Sequence, residues 1–193
     1  MALSKQEVLM TIHKGAKPFV KWAGGKTQLL SDIESLLPTD FRNRNITYVE
    51  PFVGGGSVLF WLLQHYPNIQ HAVINDVNAK LINVYRVIKA KPKKLISALR
   101  MLENEYLPMN HAERTVYFME KRRRFNDDEL TNVEQAAIFI FLNRTCFNGL
   151  YRENSKGKFN VPHGKYVHPK ICDEQTIMAD SDLLQRVDIL CGD

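Results

Sequence analysis

Apolar positions along the chain follow two different rhythms. Ile46-Thr47-Tyr48-Val49-Glu50 is a short β-branched and aromatic run that predicts a strand. Pro51-Phe52-Val53-Gly54-Gly55-Gly56-Ser57 then reads as a glycine turn, and the apolar-rich Val58 to Tyr66 as a helix. Pro67-Asn68 closes that helix, His71 to Ile74 predicts a second strand, and Asn75-Asp76 ends it. After Asn78, Leu81, Ile82, Val84, Tyr85 and Ile88 recur at helical spacing. This β-α-β-α order implies a parallel sheet with right-handed crossovers. From Pro92 to Arg144 the helical period persists alone, near 92–105, 112–125 and 131–144. Residues 145–166, dense in Asn, Gly, Arg, Lys and aromatics, predict an irregular hairpin or ordered loop. Periodicity returns from Asp173 to Leu184, and Val187-Asp188-Ile189-Leu190 is a further strand candidate. Leu29, Leu30, Ile33, Leu36 and Leu37 predict an amphipathic helix nearer the start. No internal repeat or flexible Gly/Ser linker interrupts the pattern.

Composition narrows the class without naming it. The 193 residues are 45% hydrophobic and 24% charged, which suits a chain able to bury a core and argues against disorder. The longest apolar runs, such as Ala136 to Leu142, fall far short of the ~20 residues needed to cross a bilayer. The first thirty residues carry no apolar signal core, so the expected location is cytoplasmic. Cys146, Cys172 and Cys191 form no C-x-x-C pair, and the six histidines show no ligand spacing, so neither a disulfide framework nor a metal site is expected. His163 and His168 read as loop residues.

The net charge of +5 is unevenly spread. Residues 80–124 hold twelve basic and four acidic side chains, and 141–170 hold six and one. Such a concentration is either a solvated basic face or the footprint of a polyanion, of which nucleic acid is the commonest large one. Lys121-Arg122-Arg123-Arg124 lies in this region and suggests a phosphate clamp.

Three constellations carry chemistry. In the first, Glu50 to Ser57 places glycines between strand and helix, with Asp76 at the tip of the next strand. Glycines let backbone N–H groups approach a ligand, and an acid at the second strand end can accept from both ribose hydroxyls, a geometry suited to adenosine. Residue 59 is Leu where a dinucleotide fingerprint needs glycine, which disfavours an NAD-dependent oxidoreductase. A capped Gly-rich turn without a ligand is the alternative. In the second, Lys17 to Thr27, Gly25-Lys26-Thr27 resembles the end of a P-loop, but Val20 occupies the position of the required glycine. What remains is a basic turn in which Lys26 offers a cation to a carboxylate and Trp22 an aromatic wall, or a helix lead-in with a buried Trp. In the third, Leu142 to Tyr166, aromatics alternate with Arg, Lys and Asn on a glycine-bearing loop, a mixture suited to base readout and stacking.

Taken together and in order, Lys21-Trp22-Ala23-Gly24-Gly25-Lys26, Glu50 to Ser57, Asn75-Asp76, and Asn148-Gly149-Leu150-Tyr151-Arg152 through Phe159-Asn160-Val161-Pro162 resemble the Dam-type, DpnII-like DNA adenine N6-methyltransferases. The resemblance runs from about Lys17 to Asp193. It implies an α/β fold: a Rossmann-like methyltransferase parallel sheet, from 1–79 and 171–193, carrying a mostly helical DNA-recognition insertion at 80–170. It implies S-adenosylmethionine as cofactor, bound by Trp22, Lys26, Phe52, Gly54, Asp76 and Asp193, with Asp76 on the ribose. It implies double-stranded DNA as partner, contacted by Lys21, Arg144, Phe147, Asn148, Leu150, Arg152 and Pro162. Phe147 would enter the duplex beside an extruded adenine, and GATC is the implied site.

One family element is missing. The catalytic Asp-Pro-Pro-Tyr should follow the insertion at the end of the next strand, yet the sequence contains no Pro-Pro dipeptide. In the family that element orients the adenine amine and stacks on the flipped base. The expectation is therefore a methyltransferase represented without its catalytic strand end, and the alternative is a non-catalytic DNA-binding remnant.

Overall fold

The structure is a computed structural model that describes residues 15–193. The first part of the 1–79 segment, and of the stretch read for a signal core, lies outside the described residues. β1 (Ile46–Glu50), β2 (Ile69–Ile74) and β3 (Val187–Ile189) form a parallel sheet in the order β1-β2-β3. Ahead of the sheet, a 3-10 turn at Thr27–Leu29 leads into α1 (Leu30–Ser35). The helix stops before Leu36 and Leu37, although their spacing predicts that they continue it. Pro38 restricts Leu37 to extended backbone, and Leu36 is left 82% exposed.

Helix α2 (Ser57–His65) joins β1 to β2, as the glycine turn predicts. From β2 the chain runs through α3 (Ala79–Ala90), α4 (Pro92–Tyr106), α5 (His111–Asp127) and α6 (Asn132–Thr145). It returns to the sheet through α7 (Glu174–Leu184). Local chemistry sets these boundaries. Asn110 with Glu113, and Thr131 with Glu134, make reciprocal capping boxes, while Asn78 accepts from the Leu81 N–H. Such caps contribute about 1 kcal/mol each.

Helix α6 explains the run Ala136 to Leu142. Every residue from Ala136 to Asn143 is buried, because α3, α4 and α5 all pack around it. A helix apolar on all sides has nowhere else to go in water. The buried side chains of the sheet, of α2 and of α3 to α7 form one continuous core.

Residues 145–166 form the expected irregular hairpin. Single antiparallel bridges join Cys146 to His163 and Glu153 to Phe159, and Phe147 N–H donates to Pro162 C=O at 2.9 Å. His163 fastens the returning arm, its Nε2 2.7 Å from the Tyr106 hydroxyl and its Nδ1 3.0 Å from Thr115 Oγ1. Thr115 Oγ1 already donates to His111 C=O, so it accepts from His163 Nδ1–H, and Tyr106 donates to Nε2.

Candidate functional site

The ends of β1 and β2 and the 17–27 segment converge on one cradle. Gly54 takes a φ of 50° and Gly56 one of 79°, left-handed values that favour glycine. A Cβ on Gly54 would lie 2.8 Å from Trp22 Cδ1, so the turn and the indole pack without room for a side chain. Asp76 holds the turn: its Oδ2 accepts from Gly54 N–H at 3.0 Å and its Oδ1 from Asn78 N–H at 2.9 Å. Tyr85 donates its hydroxyl to Gly54 C=O at 2.8 Å. Lys26 N–H donates to Ser57 Oγ at 3.1 Å, linking the basic turn to the start of α2. Beside them lies a cavity of about 540 Å3 lined by Trp22, Gly24, Gly25, Gly55, Ser57 and Arg144, among others. A larger cavity, about 720 Å3, between Pro108, Met109, Val116 and Tyr117 contains none of the motif residues.

Glu50 was read from sequence only as part of the turn motif, and the structure gives it a sharper character. Its Oε2 is buried with no hydrogen-bond partner among the described residues. Burial pushes the carboxyl up to about 7, against a hydrogen bond from Tyr48 and the nearby Lys26 ammonium, which both pull it down. A buried carboxylate oxygen without a donor, at the mouth of a glycine cradle, suits a cationic ligand group. Phe52 stands 81% exposed at the same strand end. Asp193 is brought there too: Leu190 N–H donates to Ile74 C=O and Gly192 N–H to Asp76 C=O, so the last residues run beside 74–76.

The recognition residues occupy the adjoining hairpin. Phe147 is 52% and Leu150 41% exposed, and Asn148, Arg152 and Pro162 are also exposed. Asn148 has a φ of 54° and Gly149 one of 65°, two successive left-handed residues that turn the chain within the first arm, between the two bridges, while the tip is the 154–158 turn closed by Asn154 N–H on Lys158 C=O at 2.9 Å. Arg152 donates from Nε to Asn160 Oδ1 at 2.8 Å, which fixes the guanidinium plane. Lys21 reaches the far side of the hairpin, with its Nζ 3.2 Å from Tyr166 Oη and 4.9 Å above that ring.

Two basic features take unexpected positions. Arg144 is half-buried and turned toward the 540 Å3 cavity, donating from Nη2 to Phe19 C=O at 2.8 Å. The cluster 121–124 is largely spent within the fold, which corrects its reading as a phosphate clamp. Lys121 is buried with its ammonium 4.4 Å above the Tyr117 ring, and Arg122 donates to Val161 C=O. Arg123 and Arg124 pair with Asp128, and Arg124 also with Glu134. Helix periodicity places Lys121 four residues after Tyr117, on the same inward face, and that spacing was the available signal.

The sequence places Asn143 and Tyr151 in the 142–166 stretch without indicating a role for either. Asn143 is fully buried at the end of the apolar run, and Tyr151 sits against Trp22 and Phe139. Among the described residues no group of three or more His, Cys, Asp or Glu side chains is placed to hold a metal, and no helix is long and apolar enough to cross a membrane.

Known proteins resemble the chain along most of its length. The chain is 49% identical over 180 residues to the type II methyltransferase M.MjaIII of Methanocaldococcus jannaschii, covering 92% of this chain and 62% of that protein. It is 41% identical over 182 residues to the type II methyltransferase M1.LlaDCHI of Lactococcus lactis subsp. cremoris, with 92% and 58% covered. A DNA adenine methylase of Vibrio cholerae is 35% identical over 179 residues, with 93% and 58% covered. The chain thus spans about three fifths of the length of these relatives. Residues 22–193 match the D12 class N6 adenine-specific DNA methyltransferase model, and it is to that family that the chain belongs.

Proposed function

We propose that this chain binds S-adenosylmethionine in the Trp22–Gly54–Asp76 cradle and duplex DNA on the 145–166 hairpin, in the cytoplasm, for methylation of adenine N6 within GATC. The observation that carries the reading is that cradle and hairpin share a wall, the Trp22 ring lying against Tyr151. The cofactor, when bound, supplies a methyl group on a positively charged sulfur. The site suits it: Asp76 keeps acceptor capacity for ribose hydroxyls, Glu50 offers an unpartnered carboxylate oxygen to a cation, and Lys26 a cation to a carboxylate. Gly54, bonded to Asp76, belongs to the same proposed site, and so do Phe52 at the end of β1 and Asp193, whose neighbour Gly192 donates to Asp76 C=O.

On the DNA side, residues 80–170 act as the recognition insertion on a methyltransferase core formed by 1–79 and 171–193. Phe147 fills the gap left by a flipped adenine, and Asn148, Leu150, Arg152 and Pro162 read base edges, with Lys21 on a base or phosphate near the start of the site; Arg144, turned into the cavity and bonded to Phe19 C=O, is not among these contacts. Extruding the base costs a few kcal/mol, which an inserted aromatic ring offsets by restacking. The absence of Asp-Pro-Pro-Tyr from residues 1–193 favours the narrower reading that they bind both ligands without orienting the adenine amine.

Titration with S-adenosylmethionine and anisotropy with GATC and GATC-free duplexes test the binding. Saturable cofactor binding and preference for GATC are expected, and failure of either removes that part of the reading. Labelled-methyl incorporation tests the chemistry: none is expected from the 193 residues, and robust transfer would show that another group here orients the amine.

A further inference from the structure

Asn143 is fully buried, and its amide is spent on two backbone segments, one 122 residues away and the other six. Its Oδ1 accepts from Lys21 N–H at 2.8 Å, and its Nδ2 donates to Lys21 C=O and to Gly149 C=O, both at 2.9 Å. Toward Lys21 it acts as a neighbouring strand would, accepting and donating on one residue. Toward Gly149 it holds the carbonyl at the left-handed reversal made with Asn148. Both amide protons are used, and among the described residues no backbone N–H reaches these two carbonyls. Gly149 also seats the Lys21 side chain, since a Cβ there would overlap Lys21 Cδ.

This clip sits where the loop's presentation is decided. Phe147, Asn148 and Leu150 flank the reversal, and Phe147 N–H carries Pro162 with it through its 2.9 Å bond. Lys21 is followed directly by Trp22, the wall of the cradle. One buried amide therefore fixes the spacing between the cofactor segment and the exposed side chains of the hairpin.

We propose that Asn143 is a positioning residue for target discrimination, holding Lys21 and the 147–150 reversal in one register so that the base-reading side chains meet the duplex together. The proposal rests on the reading of the hairpin as the DNA-recognition element. Asn143 touches neither ligand, and its effect passes through Lys21 and Gly149.

The informative change is Asn143→Asp. It keeps size and the Oδ1 acceptor but turns a second oxygen toward two carbonyls, so Lys21 and Gly149 must separate. Gly149→Ala attacks the same register from the other side, leaving the Asn143 amide intact. Binding of each variant to a GATC duplex and to single-base variants of it is read by anisotropy, alongside circular dichroism and non-specific binding at low salt. Both variants are expected to reduce the ratio of target to variant affinity by about tenfold while low-salt non-specific binding stays at the wild-type level. If Asn143→Asp does not fold, Gly149→Ala alone carries the expectation. A wild-type ratio retained by the folded variants overturns the proposal, as does an equal loss of target and non-specific binding. A wild-type chain with no preference among duplexes instead overturns the reading of the hairpin itself.

Discussion

Trp22 and Tyr151 stack with ring centroids 5.2 Å apart and planes 23° from parallel. Phe139, from the buried helix α6, lies 4.9 Å from Tyr151 at the same angle, so the tyrosine is held between a cradle residue and the core. Its hydroxyl bonds Glu153, which in turn receives the Lys80 ammonium at 2.8 Å. The base of the hairpin is thereby tied to the start of α3, two residues beyond Asn78.

Tyr151→Ala removes both stacks, each about 0.5–1.5 kcal/mol beyond its buried area. The expected result is a lower melting temperature and weaker cofactor binding, whereas Tyr151→Phe keeps the rings and most of both. Thermal unfolding with cofactor titration checks this. Wild-type cofactor affinity in the alanine variant would show that the stack supports only the fold.

Asp76→Ala leaves Gly54 N–H and Asn78 N–H without their acceptor, at a cost of about 1–3 kcal/mol for each buried group that water cannot reach. Cofactor affinity should fall more than DNA affinity at low salt. Calorimetric titration set beside anisotropy separates the two, and parallel losses would point to general unfolding of the turn.

Glu50 gives a pH dependence of known sign. Its folded-state carboxyl titrates near 7, above the ordinary 4.5, so it contributes stability below about pH 4.5 that is lost as pH rises through about 7. Glu50→Gln should therefore stabilise the ligand-free protein more at pH 8 than at pH 5. A cationic ligand favours the ionised form, so cofactor affinity should rise across pH 6 to 8 and level off above. In Glu50→Gln that rise should be absent, and a persisting rise would assign it to another group.

Arg152 and Lys121 should behave oppositely. Arg152→Ala removes an exposed guanidinium and should relax discrimination at one guanine by roughly 1–3 kcal/mol. Lys121→Ala removes a buried stem lying over Tyr117 and should lower the melting temperature instead of weakening all DNA equally. Competition binding with single-base variants, paired with melting curves, distinguishes them.

DNA affinity should fall steeply with salt, each neutralised phosphate contributing about 0.9 to the slope of log affinity against log salt. The basic residues available for this are those of the hairpin and its flanks, among them the exposed Lys156 and Lys165, while Lys158 and Lys170 already pair with Asp127 and Asp173. A flat response from low to physiological salt would remove the polyanion reading.

The elements were legible in the sequence because two periods, 2 and 3.6, separate cleanly here. Ile46 to Glu50 and the three helices between Pro92 and Thr145 lie within a residue or two of their expected bounds. The 29–37 segment differs because apolar spacing says nothing about the proline that cuts it. Trp22, Gly54 and Asp76 could be grouped by motif, since turn chemistry is local. Asn143 and the fate of Lys121 could not, because partners 122 residues away in one case, and an inward helix face in the other, decide them.

The continuous core has an evolutionary corollary. Helix α6 is sheathed by α3, α4 and α5, all within residues 79–145, but α3 also packs on α7 and β3, and α4 on α7, so the apolar interior of 80–170 continues beyond its own bounds. If the hairpin is the recognition element, as proposed, transplanting 80–170 between relatives requires a matching α7 and β3 surface in the recipient. Point changes on the hairpin rim carry no such requirement, because Phe147, Leu150 and Arg152 face solvent and a substitution there leaves the interior untouched.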